Sequence, residues 1–522
     1  MPQFTTYDGT RLSYREKGEG EPLVVLPGGP MRDADYLGDL GGLGAYRRLI
    51  VLDLRGTGRS AEPADAATYR CDRQVADVEA LRAHLGLERM DLLGHSAAGN
   101  LATLYAAAHP ERVSALVLVT PGVRAVGIEI GDDEWDKAVE VHADQPWYAS
   151  ARAAVDTLGP DTPMSEVMEI VSPFAYGRWD EAARAHAAGV GREAHWEAAE
   201  VYYAPGAFDP AATRAALAAV TAPVLILAGE RDGGPTPARA AELAALFPHA
   251  ELVVQPGAGH FPWVDDAGAF ARPIAAFLDP DVRTVTVDGV RLAYRVRGPE
   301  DAPPVVLVHG RGASGADWSE IAAALSEDRR VYAVDLRGHG LSDWPGRYGF
   351  DVFRDELRGF LTVLGLTGAD VVGHSMGGAA ALLLAAAEPG LVGRLVLEEA
   401  PAFVPLDPPR GRVPRPEGPL GLDWGVVHAT DAQLDAPDPA WRAGCAAIAA
   451  PTLLLGGGAD SRLPQEQLSS LADLIPDCRL VTVETGHLIH ASRPETFLAA
   501  LRDFGIGSAA SPDRPATAAP SV

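Results

Sequence analysis

The feature of this sequence that most limits how it can fold is a long internal repeat. Three motifs occur once in each half, at offsets of 280, 282 and 279 residues: Asp-Gly-x-Arg-Leu-x-Tyr-Arg at 8–15 and 288–295, Asp-Leu-Arg-Gly at 53–56 and 335–338, and Gly-His-Ser at 94–96 and 373–375. Solenoid repeats have periods of only tens of residues, so an offset this long indicates the duplication of a whole domain.

The length of the chain agrees with a duplication. It has 522 residues, whereas single hydrophobic cores stop growing at about 250–300 residues. We therefore predict one domain over 1–280 and a second over 281–507, because a helical pattern ends near residue 278 and a new strand pattern follows. The last segment, 508–522, consists mainly of Ala, Pro and Ser and is predicted to be disordered.

Each half alternates short apolar runs with helical stretches. The runs are 23–26, 49–52, 90–93, 115–119 and 224–228 in the first half, and 305–308, 331–334, 369–372, 395–397 and 452–455 in the second. Continuous apolar runs of this length are typical of strands that are buried on both faces of a parallel sheet. Helical segments such as 75–85 and 100–108 lie between them. The alternation predicts an α/β fold with a doubly wound, mostly parallel sheet in each domain.

A serine flanked by small residues follows a predicted strand in each half. Ser375 lies in Gly-His-Ser-Met-Gly, and Ser96 lies in Gly-His-Ser-Ala-Ala, where Ala98 departs from the usual Gly by one methyl group. Small neighbours permit the sharp strand-to-helix turn that exposes a nucleophilic hydroxyl. We predict Ser96 and Ser375 as nucleophiles, each of which needs a base to take its proton.

A carboxylate and a histidine follow each serine in the same order. Asp232 and His260 are 28 residues apart in the first half, and Asp460 and His487 are 27 apart in the second. The order Ser, acid, His is one of the known orders of hydrolytic triads. The histidines are predicted to act as general base and then general acid, with the aspartates fixing their tautomers.

The acid of the second half has an alternative. Glu398 and Glu399 end the strand that follows the serine helix, and we favour Asp460 over them. Asp53 and Asp335 lie in Gly-rich loops after an earlier strand and are interpreted as stabilising those loops. The histidines that precede the two serines are interpreted as packing within the turn.

Backbone N–H groups must stabilise the oxyanion that forms in acyl transfer, and loss of one donor costs about 10²–10³ in rate. Ala97 and Met376, the residues after the serines, are predicted to supply one donor each. The loops after the first parallel strands are predicted to supply the other through Gly29 and Arg311, since Pro30 has no N–H.

On these motifs, the chain resembles the α/β-hydrolase superfamily over about residues 1–507. The first half resembles the proline-iminopeptidase-like branch. Its Pro-Gly-Gly-Pro-Met loop at 27–31 approximates the branch's His-Gly-Gly-Pro-Gly, and 53–60 is close to the next motif. The second half resembles esterases, lactonases and carbon–carbon hydrolases. The resemblance implies two tandem domains, each with a lid inserted between nucleophile and acid.

The two predicted lids differ in length and composition. Ser96 and Asp232 are 136 residues apart, whereas Ser375 and Asp460 are 85 apart. The first lid, about 123–219, is predicted to be helical. Its aromatic residues are expected to line a pocket or to form the core of the lid itself. The second, about 402–445, is rich in proline and is predicted not to form a long helix bundle.

Composition narrows the class of partner. The chain has 71 acidic and 44 basic residues, for a formal charge of −27, which argues against nucleic acid or anionic membranes as partners. Its three cysteines are too few for a disulfide framework or metal site. Without a visible signal peptide or an apolar run of about 20 residues, a cytoplasmic location is expected.

The sequence therefore predicts a bifunctional serine hydrolase acting on small ester, amide, thioester or lactone substrates, with no metal or organic cofactor. One alternative is acyl transfer or cyclisation by the same triads. Another is one active domain with the other serving as a scaffold. Nothing in the sequence names the substrate of either site or the oligomeric state.

Overall fold

The apolar runs form the strands of two sheets. The structure is a computed structural model that describes residues 1–159, 161–418 and 420–507, with the side chains of 132 and 133 left out. The chain divides into two units, one spanning Met1–Leu278 and the other beginning at Asp279. The predicted disordered tail, 508–522, lies outside the described residues.

Eight strands form the sheet of the first unit: β1 Gln3–Thr5, β2 Arg11–Lys17, β3 Pro22–Leu26, β4 Arg48–Leu52, β5 Met90–His95, β6 Val113–Val119, β7 Val224–Gly229 and β8 Ala250–Gln255. Their order is β1-β2-β4-β3-β5-β6-β7-β8. β2 pairs antiparallel with β1 and β4, and every pair from β4 to β8 is parallel.

The second unit repeats this sheet: β9 Val282–Val287, β10 Val290–Arg297, β11 Pro304–Val308, β12 Arg330–Val334, β13 Ala369–His374, β14 Val392–Glu398, β15 Thr452–Gly456 and β16 Cys478–Thr482. The order β9-β10-β12-β11-β13-β14-β15-β16 is that of the first sheet, strand for strand. The predicted doubly wound, mostly parallel sheets are confirmed, and each of the ten predicted strands lies within an observed one.

Alternate residues of the central strands face opposite layers of the core. In β3, Leu23 and Val25 belong to one buried apolar cluster, and Val24 and Leu26 belong to another. The two faces of β11 divide in the same way. Successive side chains of a strand point to opposite faces, so a fully apolar run buries both when helices cover both.

In the described part of the first unit, twelve α-helices cover the sheet or lie in its connections: α1 Cys71–His84, α2 Ala97–Ala108, α3 Asp132–Val139, α4 Tyr148–Val155, α5 Met164–Val171, α6 Glu181–Ala187, α7 Val190–Glu193, α8 Trp196–Tyr202, α9 Pro210–Leu217, α10 Pro237–Ala244, α11 Pro262–Asp265 and α12 Ala267–Leu278. The described part of the second unit has eight: α13 Ser319–Leu325, α14 Phe350–Val363, α15 Ser375–Ala387, α16 Trp424–Asp435, α17 Pro439–Gly444, α18 Gln465–Ala472, α19 Ile489–Ser492 and α20 Pro494–Asp503. Within the described ranges, none of these helices has the length and apolar character needed to span a membrane.

The connection between the sixth and seventh strands differs most between the units. The first insertion, residues 120–223, contains α3 to α9. Its aromatic residues Trp135, Trp147 and Tyr148 surround Phe174 with ring centroids 5.4–6.1 Å apart, so they pack within the insertion. The second insertion, residues 399–451, contains α16 and α17, which follow a proline-rich stretch with no α-helix among its described residues.

Candidate active sites

Both predicted serines lie on strained strand-to-helix turns. Ser96 connects β5 to α2 with φ 53° and ψ −125°, and Ser375 begins α15 after β13 with φ 49°. Residues with side chains rarely adopt a positive φ, and such strain persists where surrounding structure enforces it. A Cβ on Gly94 or Gly373 would lie 2.6 or 2.7 Å from a backbone oxygen of the following helix. The small residues of the motif therefore permit the turn.

In the first unit, the three predicted residues lie together. The Ser96 hydroxyl lies 2.8 Å from His260 Nε2, and His260 Nδ1 lies 2.8 Å from Asp232 Oδ2. The other oxygen of Asp232 accepts a hydrogen bond from the Gly234 N–H at 2.9 Å. Asp232 is buried, and it favours the His260 tautomer with the proton on Nδ1. Nε2 then has a lone pair available for the serine proton.

The second unit brings its serine and histidine together in the same way. The Ser375 hydroxyl lies 3.1 Å from His487 Nε2. The carboxylate at His487 Nδ1 is Glu399, whose Oε2 lies 3.0 Å away and whose side chain is fully buried. The preferred prediction of Asp460 was therefore wrong, and its alternative at the end of β14 occupies the position.

The position of Asp460 explains that correction. Asp460 ends a short 3-10 helix, Gly458–Asp460, and its side chain is exposed. Glu399 instead accepts hydrogen bonds from the Gly457 N–H at 2.5 Å and from the Ser461 hydroxyl. A glutamate has one more methylene than an aspartate, so it reaches His487 from the neighbouring strand end.

The surroundings of Glu399 favour its ionised form. Burial raises the pKa of this carboxyl, but hydrogen bonds from His487, Ser461, Gly457 and Gln465 outweigh burial and lower the pKa below its usual range. Hydrogen bonds to a carboxylate stabilise the charged state. Glu399 therefore presents a negative charge to the imidazole of His487.

The loop after the first parallel strand touches the serine turn in both units. A Cβ on Gly28 would lie 2.8 Å from Ser96 Cβ and 3.2 Å from the Ala97 nitrogen. In the second unit, a Cβ on Gly310 would lie 2.5 Å from the ring of the histidine before Ser375.

The four predicted oxyanion donors are the N–H groups of Gly29, Ala97, Arg311 and Met376. Among the described residues, the Gly29 and Arg311 N–H groups have no hydrogen-bond acceptor. Ala97 and Met376 lie in the first turn of α2 and α15, where the N–H groups have no partner within the helix. The role of all four N–H groups as oxyanion donors stays a prediction.

The comparison with protein families agrees with this architecture. A model of the α/β-hydrolase fold matches residues 21–267 and 303–421, which together make up more than half of the chain. The chain belongs to the α/β-hydrolase fold family. The resemblance inferred from the motifs is confirmed, and this hydrolase contains the fold twice.

Several curated relatives of this α/β hydrolase are similar over part of their length. An uncharacterised protein of Mycobacterium tuberculosis is 37% identical over 130 residues, which are 25% of this chain and 38% of the relative. A proline iminopeptidase of Heyndrickxia coagulans is 34% identical over 23% of this chain and 43% of its own. A bifunctional esterase/perhydrolase of Acinetobacter calcoaceticus is 42% identical over 18% and 34%. The matched segments thus span less than half of these relatives.

One solved structure that resembles this α/β hydrolase is an esterase of Exiguobacterium antarcticum. It is 20% identical, with a TM-score of 0.42, and the alignment covers 53% of this chain and 98% of the esterase. At this identity the similarity concerns the fold alone.

The histidine before each serine supports the loop that carries the triad histidine. His95 Nε2 lies 3.1 Å from the backbone oxygen of His260, and His374 Nε2 lies 3.0 Å from that of His487. Burial lowers the pKa of His95 well below 6.5 and that of His374 to about 4. Both are therefore neutral near pH 7 and can donate from Nε2 to these carbonyl oxygens. Their burial confirms the predicted packing within the turn.

Tyr36 is a residue near the first site that the sequence did not single out. Its hydroxyl lies 2.7 Å from His95 Nδ1 and accepts a hydrogen bond from the Gly28 N–H at 2.7 Å. It therefore connects the loop after β3 to the histidine before Ser96. No motif marks Tyr36, because its partners come from distant parts of the sequence.

The second unit holds a further buried acid–histidine pair. His490 Nδ1 lies 2.7 Å from Glu398 Oε2, its backbone N–H donates to Glu398 Oε1 at 2.9 Å, and its ring stacks on Trp318 with centroids 4.1 Å apart. Burial raises the pKa of Glu398, but the hydrogen bond from His490 and the neighbouring His374 lower it. This pair packs behind the serine turn, since the ring of His374 lies between His490 and His487.

The two early aspartates stabilise loops, as predicted. Asp53 accepts hydrogen bonds from the Arg59 N–H at 3.2 Å and from Arg15 at 2.8 Å. Asp335 accepts hydrogen bonds from the N–H groups of Gly315 at 2.6 Å and Leu341 at 2.9 Å.

Proposed function

We propose that this chain is a serine hydrolase with two active sites, each cleaving a small ester, amide, thioester or lactone through an acyl-enzyme intermediate. The observation that carries the proposal is made in both units. A serine hydroxyl on a strained turn lies within hydrogen-bond distance of an imidazole whose other nitrogen contacts a buried carboxylate.

The reaction follows from the roles that these positions permit. His260 or His487 takes the serine proton while the serine oxygen attacks the acyl carbon. The oxyanion accepts hydrogen bonds from the N–H groups of Gly29 and Ala97 in the first site. The imidazolium, stabilised by its carboxylate, then gives the proton to the leaving group. Water repeats the sequence on the acyl-enzyme and releases the acid.

The second site uses Glu399 as its acid and the N–H groups of Arg311 and Met376 as its oxyanion donors. The similarity to a proline iminopeptidase and to an esterase/perhydrolase supports acyl-group chemistry of this kind. We infer that the two insertions act as lids over separate substrates, because they differ in length and in helix content.

A fluorophosphonate probe tests the proposal directly, because it reacts with activated serines. Mass spectrometry of the labelled full chain should find modification at Ser96 and Ser375. Ser96→Ala and Ser375→Ala should each remove one label, while Ser150→Ala, at an exposed serine of the first insertion, should remove neither.

Labelling of only one serine would show that the other domain serves as a scaffold. Labelling of neither would contradict the proposal. Each single-serine variant, assayed with aryl esters, lactones and amino-acyl amides with and without an added alcohol or amine, separates hydrolysis from acyl transfer.

A further inference from the structure

One buried carboxylate of the first unit lies between the first insertion and residues 256–261, the loop that carries His260 and is called here the histidine loop. Asp265 accepts hydrogen bonds from the Gly177 N–H at 3.0 Å and from the Arg178 N–H at 3.3 Å, both in the first insertion. It also accepts one from the Gly259 N–H at 2.8 Å, next to His260 in the sequence. Its exposed fraction is only 7%. A carboxylate has two acceptor oxygens, and Asp265 uses both to join two segments.

The two joined segments are in direct contact. The His260 N–H donates to the Ala175 carbonyl of the insertion at 2.8 Å. A Cβ on Gly177 would lie 1.7 Å from the Gly257 oxygen, and one on Gly259 would lie 2.6 Å from the Ala175 oxygen. These contacts leave no room for a side chain at Gly177 or Gly259. The backbone of 175–178 therefore fixes the position of the histidine loop.

The second unit is braced differently. Ser492 is at the same distance after His487 as Asp265 is after His260. The second insertion forms hydrogen bonds instead with the Gly-rich loop, where Asp423 N–H donates to Gly338 O at 2.8 Å, and with Arg311 through Asp431 at 2.6 Å. The contact of Asp265 with both the insertion and the histidine loop is thus described in the first unit, and no motif of the repeat predicts it.

We propose that Asp265 is a positioning residue of the first site, which holds His260 between Ser96 and Asp232 by fixing residues 175–178 of the insertion against the histidine loop. The inference rests on the proposed function of Ser96. Asp265 acts through the backbone and touches no reacting atom, so its effect falls on turnover rather than on the binding of a small ester.

The experiment uses the full chain with Ser375→Ala, so that only the first site reacts. Asp265→Asn replaces one acceptor oxygen by an NH₂ group that faces N–H donors. We expect kcat for a small aryl ester, counted per fluorophosphonate-titrated site, to fall about 10- to 100-fold with KM within about twofold. A merely structural role would lower the number of titratable sites and leave kcat per site unchanged.

A second variant separates the two segments without changing Asp265. Gly177→Ala should reproduce the loss, because its Cβ collides with the Gly257 oxygen. The matched controls are Asp266→Asn, at the exposed neighbouring carboxylate, and Gly191→Ala, at an exposed glycine of the same insertion with nothing within 4 Å of its Cβ. Both controls should stay within twofold of the parent.

The outcomes distinguish this inference from the proposed function. If the Ser375→Ala parent labels at Ser96 and hydrolyses ester, but Asp265→Asn and Gly177→Ala keep its kcat per site, the positioning role is wrong and the proposed function stands. If the parent neither labels nor hydrolyses, the proposed function fails, and the positioning role fails with it.

Discussion

The two domains place a serine and a histidine in the same relation but take the carboxylate from different strands. Asp232 follows β7, the seventh strand of its sheet, whereas Glu399 follows β14, the sixth of its own. The residue that corresponds to Glu399 in the first domain is Thr120, since both follow the sixth strand with positive φ, 52° and 40°. Thr120 donates its hydroxyl hydrogen bond to the backbone oxygen of His260 at 3.0 Å.

This difference indicates that the position of the histidine is the same in the two domains, whereas the strand that supplies its carboxylate is not. The carboxyl ends of the sixth and seventh strands lie side by side in each sheet. Either can supply a carboxylate to Nδ1, provided that the side chain has the right length. The duplicated domain therefore keeps the serine turn and the histidine loop while its acid position varies.

The largest effect should come from removing each contacting acid. With the first site isolated by Ser375→Ala, Asp232→Asn should lower kcat about 10⁴-fold, because the amide favours the wrong histidine tautomer. With the second site isolated by Ser96→Ala, Glu399→Gln should lower kcat by a similar factor. Asp460→Asn should change it less than about twofold. Steady-state ester hydrolysis measures the effect of all three substitutions. A large loss in Asp460→Asn would mean that Asp460, which follows the seventh strand, is the acid instead of Glu399.

The histidines before the serines should make both domains less stable in acid, because each is buried in its neutral form. The pKa of His374 is about 4, because burial lowers it while the Glu398 charge partly raises it, and that of His95 is well below 6.5. As the pH falls, these histidines gain a proton in the unfolded chain before they do so in the folded one. Their contribution to the free energy of unfolding is therefore constant above pH 6.5 and decreases toward lower pH. For His374 the loss should end near pH 4 and amount to ~3 kcal/mol.

Urea unfolding of the full chain between pH 7 and 4.5 measures this loss. His374→Asn keeps a donor for the His487 carbonyl and should remove that part of the pH slope, and His95→Asn should remove the part that His95 contributes below pH 6.5. An unchanged slope in His374→Asn would mean that its imidazole is not buried neutral.

The serine turns should differ in their tolerance of one methyl group. A Cβ on Gly377 would lie 2.5 and 2.6 Å from backbone oxygens of the adjacent loop, so Gly377→Ala should lower second-site kcat/KM about 10- to 100-fold. The matching residue of the first domain is already Ala98, and Ala98→Gly should cost only about 1 kcal/mol of stability, with activity within threefold. Rates of fluorophosphonate labelling at each serine check both expectations, and equal sensitivity of the two turns would contradict them.

The smallest expected effect is a partial transfer of the acid between strands. In the first domain, Asp232→Ala should remove activity, and adding Thr120→Glu should recover about tenfold by presenting a carboxylate from the sixth strand, as Glu399 does. Thr120→Gln is the matched control and should recover nothing. Recovery by the glutamine as well would show that packing, rather than charge, limits the Asp232→Ala variant.

Much of this architecture follows from local pattern. Continuous apolar runs predicted every central strand, because a strand buried on both faces needs them, and the Gly-x-Ser motif predicted both turns. The acid of the second site required more than pattern. Glu399 and Asp460 both follow neighbouring strands, and the contacts of Gly457 and Ser461 with Glu399 distinguish them by holding its side chain toward His487.

Residues that act through backbone groups left no motif at all. Tyr36 and Asp265 both accept hydrogen bonds from backbone N–H groups, which any sequence provides, and Tyr36 also bonds to the buried His95. Their partners lie from 6 to 88 positions away along the chain. Reading the sequence alone therefore finds the reacting groups more readily than the groups that support them.

The close approach of Gly177 to Gly257 has a consequence for engineering the enzyme. An insertion grafted from another hydrolase would keep the first site intact only if it brought a glycine to that crossing and backbone N–H groups to Asp265. The described part of the second insertion contacts a Gly-rich loop instead, where the Asp423 N–H donates to Gly338, and it places no such condition on the loop of His487. We therefore expect the fold to tolerate exchange of the shorter insertion more readily than exchange of the longer one.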